Sequence, residues 1–129
     1  MIKLIILTHG NLGEELYKTV TMIMGEQEES QVFSSGNLGP ADLYKNVENE
    51  VSKSSSKENG VVIAIDLKGG NTWNIACKLS HENGHIKVIS GVNLGILISF
   101  FTKRQNYDIN KLMDVLVEDG HRHIDQFCS

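Results

Sequence analysis

Three short apolar runs mark the predicted strands of the chain. The first is Ile2–Leu7, which is interrupted only by a lysine, and the second is Val61–Ile65. Aliphatic runs of this length that do not alternate with polar residues are typical of strands buried on both faces of a sheet. Ile86–Ile89 is predicted as a third strand, and a weaker strand is predicted near Gln31–Ser34.

Apolar residues between these strands recur at helical spacing. Gly25 is expected to end the first helix, and Pro40 to lie in the first turn of the second, where its fixed φ angle is favourable. A polar connector is expected to follow the second helix over Ser52–Gly60. The apolar stripes are Leu12, Leu16, Val20 and Ile23 in the first helix, and Leu43, Val47 and Val51 in the second.

The second half of the chain contains three further predicted helices. Trp73, Ala76 and Leu79 indicate one after the strand Val61–Ile65, and His81–His85 is predicted as the turn that follows it. The last two helices are expected from about Leu94 to Lys103 and from Asp108 to Glu118, with Asp108 as N-cap and Gly120 as C-cap.

Strands that alternate with helices imply parallel strands joined by right-handed crossovers. The predicted fold class is therefore α/β, an open, doubly wound, mostly parallel sheet flanked by helices. The 129 residues, with 40% apolar and 22% charged side chains, suit one domain with a core of its own. No internal repeat or linker divides the sequence, so residues 1–129 are expected to form a single domain.

Charge and cysteine usage argue against several classes of protein. The formal net charge is −4 and no block of lysine and arginine stands out, which argues against nucleic-acid binding. No apolar stretch is long enough to span a bilayer, and Leu4–Leu7 is too short for the apolar core of a signal peptide. Cys77 and Cys128 lack the CxxC spacing and are expected to be free thiols. These features predict a soluble cytoplasmic protein.

Polar residues and glycines follow three of the predicted strands. In open parallel sheets, ligands bind outside the carboxyl ends of the strands. We therefore expect these sequence-distant residues to meet at one edge of the sheet. The three segments are Thr8-His9-Gly10, Asp66 with Gly69 and Gly70, and Gly91-Val92-Asn93.

The sequence lacks the motifs of several common chemistries. It has no Walker-type phosphate loop, no GxGxxG fingerprint, no GxSxG nucleophile elbow, and no acidic pair after the first strand. Neutral imidazole is a good nucleophile, and a carboxylate on one ring nitrogen leaves the other nitrogen free. Glycine amides at a helix start suit an anion. His9, Asp66 and the pair Gly69-Gly70 together fit acceptance of a phosphoryl group.

Each of these signals also has a purely structural interpretation. A histidine at a strand end is often a boundary residue, an aspartate a helix cap, and a Gly-Gly pair a turn. Trp73 is either a core anchor or part of a docking rim. The cluster Leu97, Phe100 and Phe101 forms either core or a dimer contact.

Other groups of metal-ligating residue types are weaker candidates. His81 and His85 are four residues apart, but Gly84 argues against a continuous helix there. Glu26–Glu29 fits a solvated loop. A C-terminal metal site is a further alternative, but a solvated tail is the better interpretation and no metal is expected. The residues of that alternative are His121, His123 and Cys128.

Four segments resemble the IIA domain of the mannose/fructose/sorbose family of the bacterial sugar phosphotransferase system. They are ILTHGNLGEEL, TMIMGEQEE, VVIAIDLKGGNTWN and VISGVNLGIL, and they keep the family's order and spacing across nearly the whole chain. The resemblance implies an α/β fold that usually forms a homodimer, and no cofactor is expected. It also implies a carrier that takes a phosphoryl group from the protein HPr. The carrier passes that group to a IIB partner, which phosphorylates the sugar during uptake through membrane permease subunits.

The resemblance also implies roles for individual residues. His9 is expected to be the phosphorylated residue, and Asp66 to orient its ring and stabilise it. The family commonly has Ser, often followed by Pro, where this chain has Asn71 and Thr72, and either residue is expected to cap the next helix. The residues expected to bind the phosphoryl group are Gly10, Gly69, Gly70, Asn71 and Thr72.

Three alternative functions remain open at this stage. One is a regulatory domain of the same fold, although such domains usually lie in longer chains with DNA-binding or ATPase modules. Another is the phosphocarrier that serves dihydroxyacetone kinase, although the segment GGNTWN fits the sugar-transport branch better. The last is a non-catalytic, flavodoxin-like module that binds a small molecule. The sequence does not identify the sugar, because selectivity lies in the membrane subunits.

Overall fold

A computed structural model describes residues 1–36 and 38–128. Within that part of the chain, four strands alternate with six helices. The sheet has the order β2-β1-β3-β4 and every pairing is parallel, which confirms the predicted α/β fold. The elements are β1 (Lys3–Thr8), α1 (Leu12–Met24), β2 (Ser30–Ser34), α2 (Pro40–Val51), α3 (Ser54–Asn59), β3 (Val61–Ile65), α4 (Asn71–Glu82), β4 (Ile86–Ile89), α5 (Leu94–Lys103) and α6 (Ile109–Arg122).

The register of the strands brings their carboxyl ends to one edge. On one side of β1, Leu7 pairs with Phe33 of β2. On its other side, Leu7 pairs with Ile65 of β3. From β1 the chain moves outward to β2, whereas from β3 it moves outward in the opposite direction to β4. The residues after β1 and β3 therefore flank the point where the winding reverses, which is where open α/β sheets bind ligands.

The sheet separates two apolar layers because alternate side chains of a strand point to opposite faces. Leu4 and Ile6 of β1 pack in the layer that α1, α5 and α6 cover. Ile5 and Leu7 pack in the layer that α2 and α4 cover. The cluster predicted as core or dimer contact is buried in the first layer, so it belongs to the core. Its members are Leu97, Phe100 and Phe101.

The predicted polar connector Ser52–Gly60 contains a short helix that the sequence pattern did not predict. Helix α3 spans Ser54–Asn59 and has no apolar stripe that periodicity could detect. The buried hydroxyl of Ser56 donates a hydrogen bond to the carbonyl of Glu50 at 3.2 Å, which fastens α3 to the end of α2.

Two helix ends also differ from the prediction. Helix α4 continues through Glu82, so the first two residues of the predicted turn are helical and only residues 83–85 lie outside the helix. Gly120 is not a C-cap: it lies inside α6, which ends at Arg122. A Cβ atom at Gly120 would lie 2.7 Å from a side-chain carbon of Ile96, so glycine permits close packing of α6 on α5.

The predicted stripe of α1 is buried only in part. Val20 is fully buried, and Leu16 packs against the first layer. Leu12 and Ile23, by contrast, are 48% and 60% exposed. Across residues 1–36 and 38–128, no helix combines the length and apolar character needed to cross a bilayer.

Candidate functional site

The turn from β1 into α1 presents His9 at the carboxyl edge of the sheet. Thr8, the last residue of β1, is fully buried, and its Oγ1 atom accepts a hydrogen bond from the backbone N–H of Gly13 at 2.7 Å. Gly10 has a φ angle of 53°, in the left-handed region that favours glycine. The strand end and the helix start are thus fastened together around His9.

The carboxylate of Asp66, directly after β3, holds His9 through two hydrogen bonds. Its Oδ2 atom accepts the backbone N–H of His9 at 2.9 Å and lies 3.0 Å from the ring Nδ1 atom. Its Oδ1 atom accepts the N–H of Leu67 at 3.0 Å and the hydroxyl of Thr72 at 3.2 Å. The structure thus brings the predicted pair together at the reversal point of the sheet.

The two partners differ in exposure and charge. The side chain of His9 is 46% exposed, whereas that of Asp66 is 13% exposed. Burial raises the pKa of Asp66, but the hydrogen bonds from the His9 backbone and ring outweigh this effect, so the pKa lies below its ordinary value. Asp66 is therefore an anion near neutral pH, and it lies partly buried behind an accessible imidazole.

The amino end of α4 lies against the ring of His9. A Cβ atom at Gly70 would lie 3.2 Å from Cε1 and 3.4 Å from Nε2 of His9, so the absence of a side chain leaves room for the ring. Gly69 has a φ angle of 95°, which again requires glycine. The first N–H groups of a helix have no acceptor within it and point outward. The end of α4 that carries such groups begins at Gly70, beside Nε2.

The prediction that Asn71 or Thr72 caps α4 is wrong. Gly70 is the N-cap residue, and it supplies no side-chain cap. Asn71 and Thr72 are the first two residues of the helix itself. The hydroxyl of Thr72 instead donates to Asp66, and the side chain of Thr72 is fully buried.

The third segment expected at this edge has a structural role. Asn93 is the N-cap of α5, and its side-chain oxygen accepts the N–H of Ile96 at 2.8 Å. Its amide nitrogen donates to the carbonyl of Gly120 at 3.3 Å. No hydrogen bond among the described residues joins Asn93 to His9 or Asp66, so the site consists of the first two segments.

Two other sequence-based alternatives can be compared with the structure. Trp73 is partly buried and packs against the second apolar layer, with Nζ of Lys68 located 5.6 Å from its ring centre. It therefore serves as a core anchor beside the site. His121, His123 and Cys128 are exposed, and residues 1–36 and 38–128 contain no group of three or more potential ligands placed to hold a metal ion.

Sequence reasoning missed Thr8 as a functional candidate, and it assigned Thr72 to phosphoryl binding or to a helix cap without its contact with Asp66. A threonine at a strand end, such as Thr8, resembles any β-branched strand residue. A threonine at a helix start, such as Thr72, resembles a cap. The signal in both cases is a hydroxyl directly beside a predicted site residue, and only the tertiary structure reveals its partner.

Comparison with known proteins gives the family. Residues 3–117 match the family model EIIA-man, described as PTS system fructose IIA component. The chain belongs to this family. Its fold, with a four-stranded parallel sheet between helices, is the fold of solved PTS EIIA proteins.

Individual relatives agree with this assignment of the IIA component. The chain is 31% identical over 112 residues to the PTS system sorbose-specific EIIA component of Klebsiella pneumoniae. The alignment covers 87% of this chain and 82% of that protein. It is 30% identical over 132 residues to the PTS system mannose-specific EIIAB component of Escherichia coli (strain K12), covering 95% of this chain. The match spans only 38% of the length of that relative.

One solved structure is similar over the whole IIA chain. The crystal structure of phosphotransferase system component EIIA from Streptococcus agalactiae superposes with a TM-score of 0.91. The two chains are 28% identical, and the superposition covers 98% of each. Sequence and fold therefore agree on a PTS EIIA component of the mannose family.

Proposed function

We propose that the protein is a phosphocarrier of a sugar phosphotransferase system, with His9 as the phosphorylated residue. His9 accepts a phosphoryl group from phosphorylated HPr and transfers it to a IIB partner during sugar uptake. The observation that carries the proposal is the hydrogen bond of 3.0 Å between Nδ1 of His9 and the carboxylate of Asp66. It occurs on a half-exposed ring at the reversal point of the sheet, in a chain of the PTS IIA family.

The acceptor atom in this proposal is Nε2 of His9. The carboxylate of Asp66 engages Nδ1, so the tautomer with a proton on Nδ1 is favoured and Nε2 keeps its lone pair. Nε2 lies on the side of Gly70 and the amino end of α4. An incoming anion at this end is stabilised by unpaired N–H groups and by the helix dipole.

The transfer step balances with the groups in this site. The lone pair of Nε2 attacks the phosphorus atom, and a nitrogen–phosphorus bond forms. The bond between phosphorus and the donor atom of HPr breaks, and that atom leaves with its electron pair. The ring of His9 gains positive charge while its Nδ1 proton stays in the hydrogen bond, and the Asp66 anion stabilises that charge. Backbone N–H groups at Gly70, Asn71 and Thr72 are the proposed contacts of the phosphoryl oxygens, with Gly69 and Gly10 shaping the turns.

Incubation with phosphoenolpyruvate, enzyme I and HPr, followed by intact mass spectrometry, tests this proposal. We expect one added phosphoryl group that is lost in acid and kept in base, as for a phosphoramidate. His9→Ala should fold and take up none. The matched variants His81→Ala and His121→Ala change exposed histidines on other surfaces and should take up one group. Uptake by His9→Ala with wild-type stoichiometry would contradict the proposal.

The protein that receives the phosphoryl group from this chain distinguishes between the alternative functions. Transfer from the phosphorylated chain to a IIB protein supports the sugar-uptake role in the cytoplasm. Uptake from HPr with transfer to a dihydroxyacetone kinase instead, or with no transfer to IIB, would favour the kinase-type or the regulatory carrier. A small molecule that copurifies with the chain, together with no uptake from HPr, would favour the flavodoxin-like module.

We further propose that the carrier is a homodimer, as the family resemblance implies. The cluster Leu97, Phe100 and Phe101 gives this proposal no support, because these side chains are buried in the core. Support comes instead from apolar side chains after α6, where Ile124 is 80% and Phe127 is 93% exposed. Sedimentation at micromolar concentration tests the proposal, and a monomer alone would contradict it.

A further inference from the structure

We propose that Thr72 is a positioning residue for phosphoryl transfer, whose hydroxyl group fixes the Asp66 carboxylate so that Oδ2 faces His9. The inference rests on the proposed function, in which His9 is the acceptor. It assigns Thr72 a role different from direct contact of its side chain with the phosphoryl group.

The contacts of the carboxylate carry this inference. Four donors surround it, two on each oxygen atom: His9 donates twice to Oδ2, and Leu67 and Thr72 donate to Oδ1. His9 is the group to be positioned, and Leu67 is the neighbour of Asp66 in the chain. Thr72 is therefore the contact among these four that comes from a separate element, α4.

The surroundings of Thr72 make its hydroxyl a fixed donor. The residue is fully buried, and it is the second residue of α4, two positions after the N-cap Gly70. A β-branched side chain has few accessible χ1 rotamers in a helix, and a buried hydroxyl needs a partner. Its donation to Oδ1 at 3.2 Å satisfies that need and links the carboxylate to the helix that lies against the ring of His9.

This link joins both halves of the site. The amino end of α4, at Gly70, lies next to Nε2, while Asp66 holds Nδ1. A hydrogen bond between α4 and Asp66 therefore sets the anion-binding end of the helix and the orientation of the ring relative to one another. Productive geometry for transfer depends on such alignment, because displacements of about 1 Å at a reacting centre are costly in rate.

Two variants of Thr72 separate the hydroxyl from the packing of the side chain. Thr72→Val keeps the shape and removes the hydroxyl, whereas Thr72→Ser keeps the hydroxyl. The matched control is Ser99→Ala, because Ser99 is also buried and donates to a carboxylate, that of Asp119, at 2.5 Å on a different surface. Thermal unfolding of each variant establishes that it is folded.

The first measurement is the rate of transfer from phosphorylated HPr to the chain. We expect Thr72→Val to lower the rate at saturating HPr about tenfold, with the half-saturating HPr concentration unchanged, because one hydrogen bond to a charged group is lost. Thr72→Ser should restore the rate to within about twofold of wild type, and Ser99→Ala should not lower it. A wild-type rate in Thr72→Val overturns the inference, as does an equal loss in Thr72→Ser.

The second measurement uses the unphosphorylated protein. Long-range proton–nitrogen NMR spectra report which nitrogen of His9 carries the proton, and a purely structural role of Thr72 would not alter that distribution. We expect the fraction protonated on Nδ1 to fall in Thr72→Val and to recover in Thr72→Ser. If the wild-type protein takes up no phosphoryl group, the proposed function fails while this measurement still decides the role of Thr72. An unchanged Nδ1 signal in Thr72→Val would then overturn the positioning role of Thr72.

Discussion

The Oδ2 atom of Asp66 accepts two hydrogen bonds from the single residue His9, one from its backbone N–H at 2.9 Å and one from its ring at 3.0 Å. The first fixes the main chain at the end of β1, and the second fixes the ring. One partly buried carboxylate thereby determines both where the histidine is and which nitrogen atom it presents. The two residues are 57 positions apart in sequence, and parallel pairing of β1 with β3 brings them together.

We expect Asp66→Asn to slow phosphoryl transfer on the order of 100-fold while the chain stays folded. The substitution removes the anion that stabilises positive charge on the ring of His9, and removal of such electrostatic stabilisation typically has an effect of this size. Rapid-quench measurement of transfer from phosphorylated HPr gives the rate. Asp119→Asn is the matched control, since Asp119 also accepts a buried hydroxyl but lies away from the site. Equal rates for Asp66→Asn and wild type would remove Asp66 from the mechanism.

The same substitution should change how stability depends on pH. The pKa of Asp66 in the folded protein lies below its ordinary value of 3.8. A group with a lowered folded pKa stabilises the protein fully above its unfolded pKa, and this contribution disappears as the pH falls through the folded value. The contribution of the Asp66 charge to the difference in unfolding free energy between wild type and Asp66→Asn should therefore be complete above about pH 5 and shrink below about pH 4. Urea denaturation across this range measures it, and a difference independent of pH would contradict the expectation.

Sequence patterns predicted the parts of this fold that depend on local periodicity. Val61–Ile65 and Ile86–Ile89 were predicted with the bounds that the structure gives, because apolar β-branched runs are distinctive. Asp108 is the N-cap of α6, as predicted, and accepts the N–H of Lys111 at 2.9 Å. Pro40 lies at the start of α2, again as predicted.

Features that depend on tertiary contacts were not predictable in the same way. Gly120 resembles a C-cap in sequence, but its close packing on Ile96 can be recognised only when α5 and α6 are assembled. Lys3 lies inside the first apolar run, and burial is compatible with its charge because its Nζ atom pairs with Glu50 at 2.8 Å. The orientation of His9 towards Asp66 follows from the sheet order, whereas the hydroxyl of Thr72 on Asp66 depends on the exact start of α4.

We expect Gly13→Ala to lower the unfolding free energy by about 1–2 kcal/mol, because overpacking here exceeds the gain in helix propensity. A Cβ atom at Gly13 would lie 2.9 Å from Oγ1 of Thr8 and 3.0 Å from a side-chain carbon of Ile6. The start of α1 would have to move away from the end of β1, which should also slow transfer to His9. Chemical denaturation and the transfer assay measure both effects.

Gly84→Ala provides the comparison for this variant. A Cβ atom at Gly84 would meet no heavy atom of the described residues within 4 Å, chain neighbours aside, and the φ angle of Gly84 is not positive. The Gly84→Ala substitution should therefore leave the rate of transfer to His9 at the wild-type value. A Gly13→Ala protein as stable and as active as wild type would show that α1 tolerates displacement from the site.

The space beside the acceptor atom Nε2 is bounded by Gly70. We expect Gly70→Ala to reduce transfer to His9 about tenfold, because the new methyl group would lie 3.4 Å from Nε2, where the phosphoryl group must arrive. The backbone of Gly70 has φ −99° and ψ −171°, which alanine adopts without strain, so the variant should fold. Gly39→Ala is the matched control: Gly39 is the extended N-cap of α2, and a Cβ atom there would meet no atom of residues 1–36 and 38–128 within 4 Å, chain neighbours aside. Both variants place alanine at an N-cap position and lose stability for that reason. A slower transfer that occurs only in Gly70→Ala is therefore caused by crowding at Nε2. Equal rates in the two variants would mean that the phosphoryl group approaches His9 from another direction.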